Sequence, residues 1–258
     1  MPVADCAGLA IHYECFGAGT PLVLAHGWGS DLAHNWQRTS WVDALATQRR
    51  VIAFDSRGHG RSAKPREQRL YGYRAMSRDV IAVLDHAGIS RADFFGYSLG
   101  AFLGVCLLVD EPARFRAFVL GGIGDETPQS AAAGAEIAKA LRGEPTSHPL
   151  AKATRAFVAA NPTSDFEALA LSAAEMWPQG YPRALGGSAL ADVRAPVLIV
   201  NGAEDHPYVA SDERLASAIP SARLVRIPGR DHLSVVADAR FRDIVLEFLA
   251  EVDRTAKF

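Results

Sequence analysis

Runs of apolar residues closed by glycine-rich turns alternate along most of the chain with stretches of helical period. Pro21 to Ala25, Arg50 to Phe54, Phe94-Phe95, Phe115 to Leu120 and Val197 to Val200 are short continuous apolar runs. Such runs are the mark of parallel strands covered on both faces. Between them, Trp36 to Ala46, Tyr73 to Ala87 with Asp79 and Asp85 outward, Ala101 to Val109 and Asp212 to Ile219 read as helices, and Phe241 to Val252 closes the chain as another. Leu9 to Phe16 alternates with period two and pairs with Val3 to Cys6 as an antiparallel edge hairpin, with His12 on the solvent side. Ala222 to Ile227 alternates as the last strand. Strands separated by helices predict βαβ units and a mostly parallel sheet, in which ligands bind beyond the carboxyl ends of the strands.

The texture changes near Glu126. Residues 126 to 190 are alanine-rich and hold several prolines and no convincing strand, which predicts a helical insertion, or cap. The expected division is therefore a core of 1–125 and 191–258 with a cap of 126–190. Phe157, Phe166, Met176, Trp177 and Tyr181 either form the cap's own core, the better reading for most, or face a substrate pocket. Trp177, at the irregular Trp177-Pro178 break, is the pocket candidate within the cap; Tyr97, in the core, is another.

Composition narrows the function. With 27 Lys and Arg against 29 Asp and Glu, nothing suggests a nucleic-acid or acidic-membrane partner. No apolar run reaches membrane length and the first residues do not read as a signal peptide, so a cytoplasmic protein is expected. The three cysteines, Cys6, Cys15 and Cys106, show no metal spacing, and Cys106 reads as a core residue. The Arg49-Arg50 and Arg57 to Arg69 stretches read as solvated turns. No cofactor or metal is expected, and monomer and homodimer are equally compatible with the sequence.

The chemistry centres on Gly96-Tyr97-Ser98-Leu99-Gly100, a G-x-S-x-G pattern at the end of a strand and the start of a helix. Such an elbow exposes its serine at a turn so tight that its flanking positions must be glycine. A serine hydroxyl needs a base, and a histidine held by a carboxylate is suited to that task. Ser98, Asp205 and His232 follow in that order, each on a loop after a predicted strand. Asp125 is the rival acid and Glu204 a weaker one. His26 reads as structural, and Asp231 would point away from the adjacent ring.

With His26-Gly27-Trp28-Gly29, Asp55 to Ser62, the elbow, Gly202 to Asp205 and Asp231-His232, the chain resembles the α/β-hydrolase fold family over residues 8–125 and 191–253. The resemblance implies an eight-stranded, mostly parallel sheet with an antiparallel second strand, and oxyanion donors from the backbone N–H groups of Trp28 and Leu99. It implies that Asp55 to Ser62 braces nearby loops. The serine at the elbow separates the chain from the family's dehalogenase and epoxide-hydrolase branches. The leading expectation is a serine hydrolase cleaving a small carboxylic ester or lactone through an acyl-serine. The alternatives are a triad-retaining sensor of a small ligand, a lyase or transferase, or a C–C hydrolase or perhydrolase/haloperoxidase on the same fold.

Overall fold

In the computed structural model, residues 2–125, 131–180, 186–206 and 208–255 are described. Eight strands run β1 (Val3–Cys6), β2 (Leu9–Phe16), β3 (Thr20–Ala25), β4 (Arg49–Phe54), β5 (Ala92–Tyr97), β6 (Phe115–Gly121), β7 (Val197–Gly202) and β8 (Ala222–Ile227). They form one sheet in the order β1-β2-β4-β3-β5-β6-β7-β8. Only β2 runs against its neighbours, pairing antiparallel with both β1 and β4. Every residue of β5 and β7 is buried, as both faces of the sheet are covered.

The helices are α1 (Trp41–Ala46), α2 (Tyr73–His86), α3 (Leu99–Asp110), α4 (Ala131–Leu141), α5 (Pro149–Ala159), α6 (Phe166–Met176), α7 (Asp212–Ala218) and α8 (Ala239–Thr255). Successive strand residues face opposite ways: Phe94 packs with Phe102 and α2 in one core, and Phe95 with Trp36, Trp41 and Phe241 in the other. Cys106 is buried in α3. Helices α4, α5 and α6 lie between β6 and β7 in sequence and pack on one another.

Several local expectations are overturned. The single helix expected over 36–46 is instead one π-helical turn, Ala33–Gln37, followed by α1, with Ser40 between them at φ 62°. Trp36 and Trp41 are five residues apart, about 140° around a continuous α-helix. The break lets both rings enter one core, where they meet edge-on at 6.3 Å. His12 does not face solvent: it is 5% exposed, its Nδ1 3.0 Å from Asp55 Oδ2 beneath the Asp55 to Ser62 loop. Asp79 shares the buried stripe of α2 with Met76, Val80 and Val83 and accepts from Arg57 at 2.8 and 2.5 Å. Arg57 and Arg49 are themselves buried rather than solvated, and Arg49 pairs with Asp93 and Asp253. Burying such charges is tolerated only because each has its counter-charge in contact. Tyr181 lies outside the described residues.

Candidate active site

Ser98 sits between β5 and α3 at φ 51°, ψ −111°, a conformation that a non-glycine residue holds only under constraint from its surroundings. The constraint is visible on both sides. A Cβ on Gly96 would overlap the main chain of Gly100, and one on Gly100 would overlap the carbonyl of Ala25 on β3. The Ser98 N–H donates to Gly121 O at 2.8 Å, tying the elbow to β6.

His232 reaches the serine from the loop after β8, its Nε2 3.1 Å from Ser98 Oγ. Its Nδ1 lies 2.9 and 3.1 Å from the two carboxylate oxygens of Asp205, on the loop after β7. The two loops are sewn together by Ala203 N–H to Ile227 O and Glu204 N–H to Arg230 O, both 2.9 Å. Asp125 stands elsewhere, its N–H toward Ser211 O and its carboxylate 3.9 Å from Arg214. Asp231 turns from the ring as expected: its Oδ1 accepts from the N–H of Leu233 and Ser234 and from the Ser234 hydroxyl. Because a carboxylate only accepts, the Nδ1 facing Asp205 carries the proton and Nε2 offers its lone pair to the serine.

Tyr97 holds the same loop from below, donating its hydroxyl to the main-chain carbonyl of His232. Burial, then the charges of Asp205 and Asp231, push this phenol well above its ordinary pKa, so it stays a donor. Tyr208 stacks on the His232 ring, the ring centroids 4.7 Å apart.

The loop after β3 is held by a chain of buried groups. His26 Nδ1 contacts Gly27 O at 2.8 Å and its Nε2 accepts from Ser56 N–H at 3.0 Å. His59 Nε2 accepts from Gly29 N–H at 3.0 Å, and Asn35 Oδ1 from Gly27 N–H at 2.9 Å. Burial lowers the pKa of His26, and burial followed by the neighbouring His26 brings His59 to about 3. Both rings are neutral, as acceptors of backbone N–H groups must be. Asp55 braces the same region through the N–H groups of Leu32 and Arg61, each at 2.9 Å. Among the described residues the N–H groups of Trp28 and Leu99 have no hydrogen-bond partner.

A cavity of about 410 Å³ opens over Ser98. Trp28, Tyr97 and Trp177 line it, together with Leu150, Thr154 and Phe157 of α5 and the loop residue Asn161. Trp177 and Trp28 lie 5.8 Å apart, and the Trp28 indole donates to Ser172 of α6 at 2.8 Å. Sequence reasoning missed His34, Asn35, Asn161 and Tyr208, all on this wall. Asn35 is betrayed in sequence only by its place beside the core residue Trp36, and Tyr208 by nothing beyond following Asp205 by three positions. Among the described residues no cluster of three or more His, Cys, Asp or Glu could hold a metal ion, and no helix is long and apolar enough to cross a membrane.

Comparison with known proteins agrees with this architecture. Residues 20–142 match the model of the alpha/beta hydrolase fold family. The chain is 30% identical to 3-oxoadipate enol-lactonase 2 of Acinetobacter baylyi over 79% of each protein. It is also 30% identical to 2-hydroxy-6-oxononadienedioate/2-hydroxy-6-oxononatrienedioate hydrolase of Burkholderia vietnamiensis, over 96% of this chain and 93% of that protein. Among solved structures, a hydrolase from Pseudomonas aeruginosa PA01 superposes with a TM-score of 0.78 at 30% identity, covering 95% of this chain and 96% of the other.

Proposed function

The chain belongs to the alpha/beta hydrolase fold family, and from that premise we propose that it is a serine hydrolase cleaving a small carboxylic ester or lactone. The observation that carries this reading is the unbroken line from Asp205 through His232 to Ser98 Oγ.

In this reading Asp205, His232 and Ser98 are the catalytic residues. His232 Nε2 takes the hydroxyl proton as Ser98 Oγ attacks the acyl carbon. It then returns the proton to the departing alkoxide, leaving an acyl-serine that water hydrolyses by the same relay. Asp205 keeps the imidazole in the required tautomer and balances its transient charge. The N–H groups of Trp28 and Leu99 receive the oxyanion, Leu99 from the first turn of α3, where the helix dipole adds to the hydrogen bond. The segment 126–190 acts as a cap, and Trp177 and Tyr97 border the bound substrate.

The deciding experiment is reaction with a fluorophosphonate probe followed by peptide mass spectrometry. Label on Ser98 of the folded protein, lost in Ser98→Ala, is the expected result. A folded protein that takes no label there refutes the covalent route. A panel of p-nitrophenyl esters, lactones and carbamates then fixes which acyl derivative is turned over.

A further inference from the structure

The cavity wall carries a second aspartate–histidine pair, which the hydrolytic relay does not use. Asp31, 3% exposed, accepts from the backbone N–H of His34 at 2.7 Å, and its two oxygens lie 2.8 and 2.9 Å from His34 Nδ1. It also accepts from Asn161 Nδ2 at 3.1 Å and Thr163 Oγ1 at 2.8 Å. Burial acts to raise the pKa of this carboxyl, but the backbone and ring of His34, then Thr163 and Asn161, more than offset it. The group is held well below the usual carboxylate range.

An ionised carboxylate cannot donate, so the Nδ1 it faces carries a ring proton, and the uncharged form of the ring keeps its lone pair on Nε2. His34 lines the cavity with its side chain 23% exposed, and among the described residues Nε2 has no hydrogen-bond partner. The adjacent Asn35, on the same wall, spends its oxygen on Gly27 and leaves its buried Nδ2 without a partner. The described lining residues otherwise include no lysine, arginine, aspartate or glutamate.

We propose that His34, oriented by Asp31, is a specificity-determining residue that accepts a hydrogen bond from a neutral donor on the substrate, a hydroxyl or N–H remote from the scissile bond. The preferred substrate class is thus a hydroxylated or amide-bearing ester or lactone rather than a plain alkyl or carboxylate-bearing one. A lone-pair acceptor on the cavity wall matches a hydroxyl or N–H, either of which can donate to it. A substrate carboxylate would set its charge against the Nε2 lone pair. This inference rests on the serine-hydrolase reading for the chemistry, but the recognition it assigns is separable from that chemistry.

The test uses matched p-nitrophenyl esters whose acyl chains differ only in bearing hydrogen, hydroxyl or carboxylate at successive carbons. For wild type, kcat/KM for the best hydroxyl-bearing ester is expected to exceed that of its alkyl match by about fivefold to tenfold, the worth of one neutral hydrogen bond. His34→Leu is expected to bring that ratio to about one, and His34→Gln, which restores an acceptor, to recover part of it. The same esters are ranked by dissociation constant on Ser98→Ala, which reads recognition even if Ser98 is not the nucleophile. If His34→Leu does not fold, the wild-type ratio and the His34→Gln ratio decide. Preference for the alkyl or carboxylate ester in wild type, or a hydroxyl preference untouched at His34, overturns the proposal. Absence of label on Ser98 with the binding order intact overturns the hydrolase reading alone.

Discussion

Asn161, two residues beyond the end of α5, donates its side-chain amide to Asp31, on the loop that follows β3, at 3.1 Å. With Thr163 on the same carboxylate, this contact joins two walls of the cavity that are separated by 130 residues. Asp31 is buried and each of its oxygens is engaged, so removing its charge leaves donors unpaired on both walls. Asp31→Asn is expected to cost about 2 kcal/mol, lowering the midpoint of thermal unfolding by roughly 4–8 °C. Because the folded carboxyl titrates below its unfolded value near 3.9, its contribution is fully present above about pH 4 and is shed as pH falls further. The gap between wild type and Asp31→Asn in scanning calorimetry should therefore narrow below about pH 4.

The catalytic assignment makes ordered kinetic predictions. Ser98→Ala and His232→Ala are each expected to lower kcat by up to about a million-fold, with little further loss on combining them. Asp205→Asn is expected to cost about 10⁴-fold by presenting the wrong tautomer. Asp125→Asn, remote from the ring, should stay within about threefold of wild type. Steady-state kinetics on one active ester compares all four variants, and an inactive Asp125→Asn beside an active Asp205→Asn would reverse the choice of acid.

Asn35 tests the proposed oxyanion loop without touching Ser98. Its Oδ1 is the acceptor for Gly27 N–H, one residue before Trp28, the proposed oxyanion donor. Asn35→Leu should let that donor drift from the developing oxyanion, and losing one such donor costs about 10²- to 10³-fold in kcat. A drop of about 10- to 100-fold in kcat is expected for a displaced rather than deleted donor. An unchanged kcat in a folded variant would show that the loop is positioned by other contacts.

His59 ties stability to acidity because burial lowers its pKa in the folded chain. Its folded pKa of about 3 lies below the unfolded value near 6.5, so the unfolded chain binds the proton more readily. Stability is then full above about pH 6.5 and declines as pH falls toward 3. His59→Gln removes this titration. Urea midpoints between pH 7 and 4 should fall less steeply for the variant than for wild type, even though the variant is less stable at neutral pH.

Much of this molecule was legible in the order of its residues. Continuous apolar runs such as Val197 to Val200 announce strands with both faces covered, since no other element so short can bury every side chain. The elbow is legible because steric exclusion at Gly96 and Gly100 leaves a local signature. The order of Ser98, Asp205 and His232 survives in sequence because each follows a strand whose end the sheet aligns.

Other features were decided only by the assembled structure. Periodicity puts acids and histidines outside by default, so it cannot foresee that Asp79 and His12 are buried against Arg57 and Asp55, partners distant in sequence. The break between Trp36 and Trp41 arises because the core on that face demands both rings, a requirement no local propensity encodes. The sequence favours Asp205 as the acid but leaves Asp125, also at a strand end, as its rival. Only the docking of the β7 and β8 loops, which brings one of them to His232 Nδ1, separates them. The polar wall of His34, Asn35 and Asn161 belongs wholly to this second class, because a hydrogen-bonded node such as Asp31 gathers donors from wherever the chain happens to return.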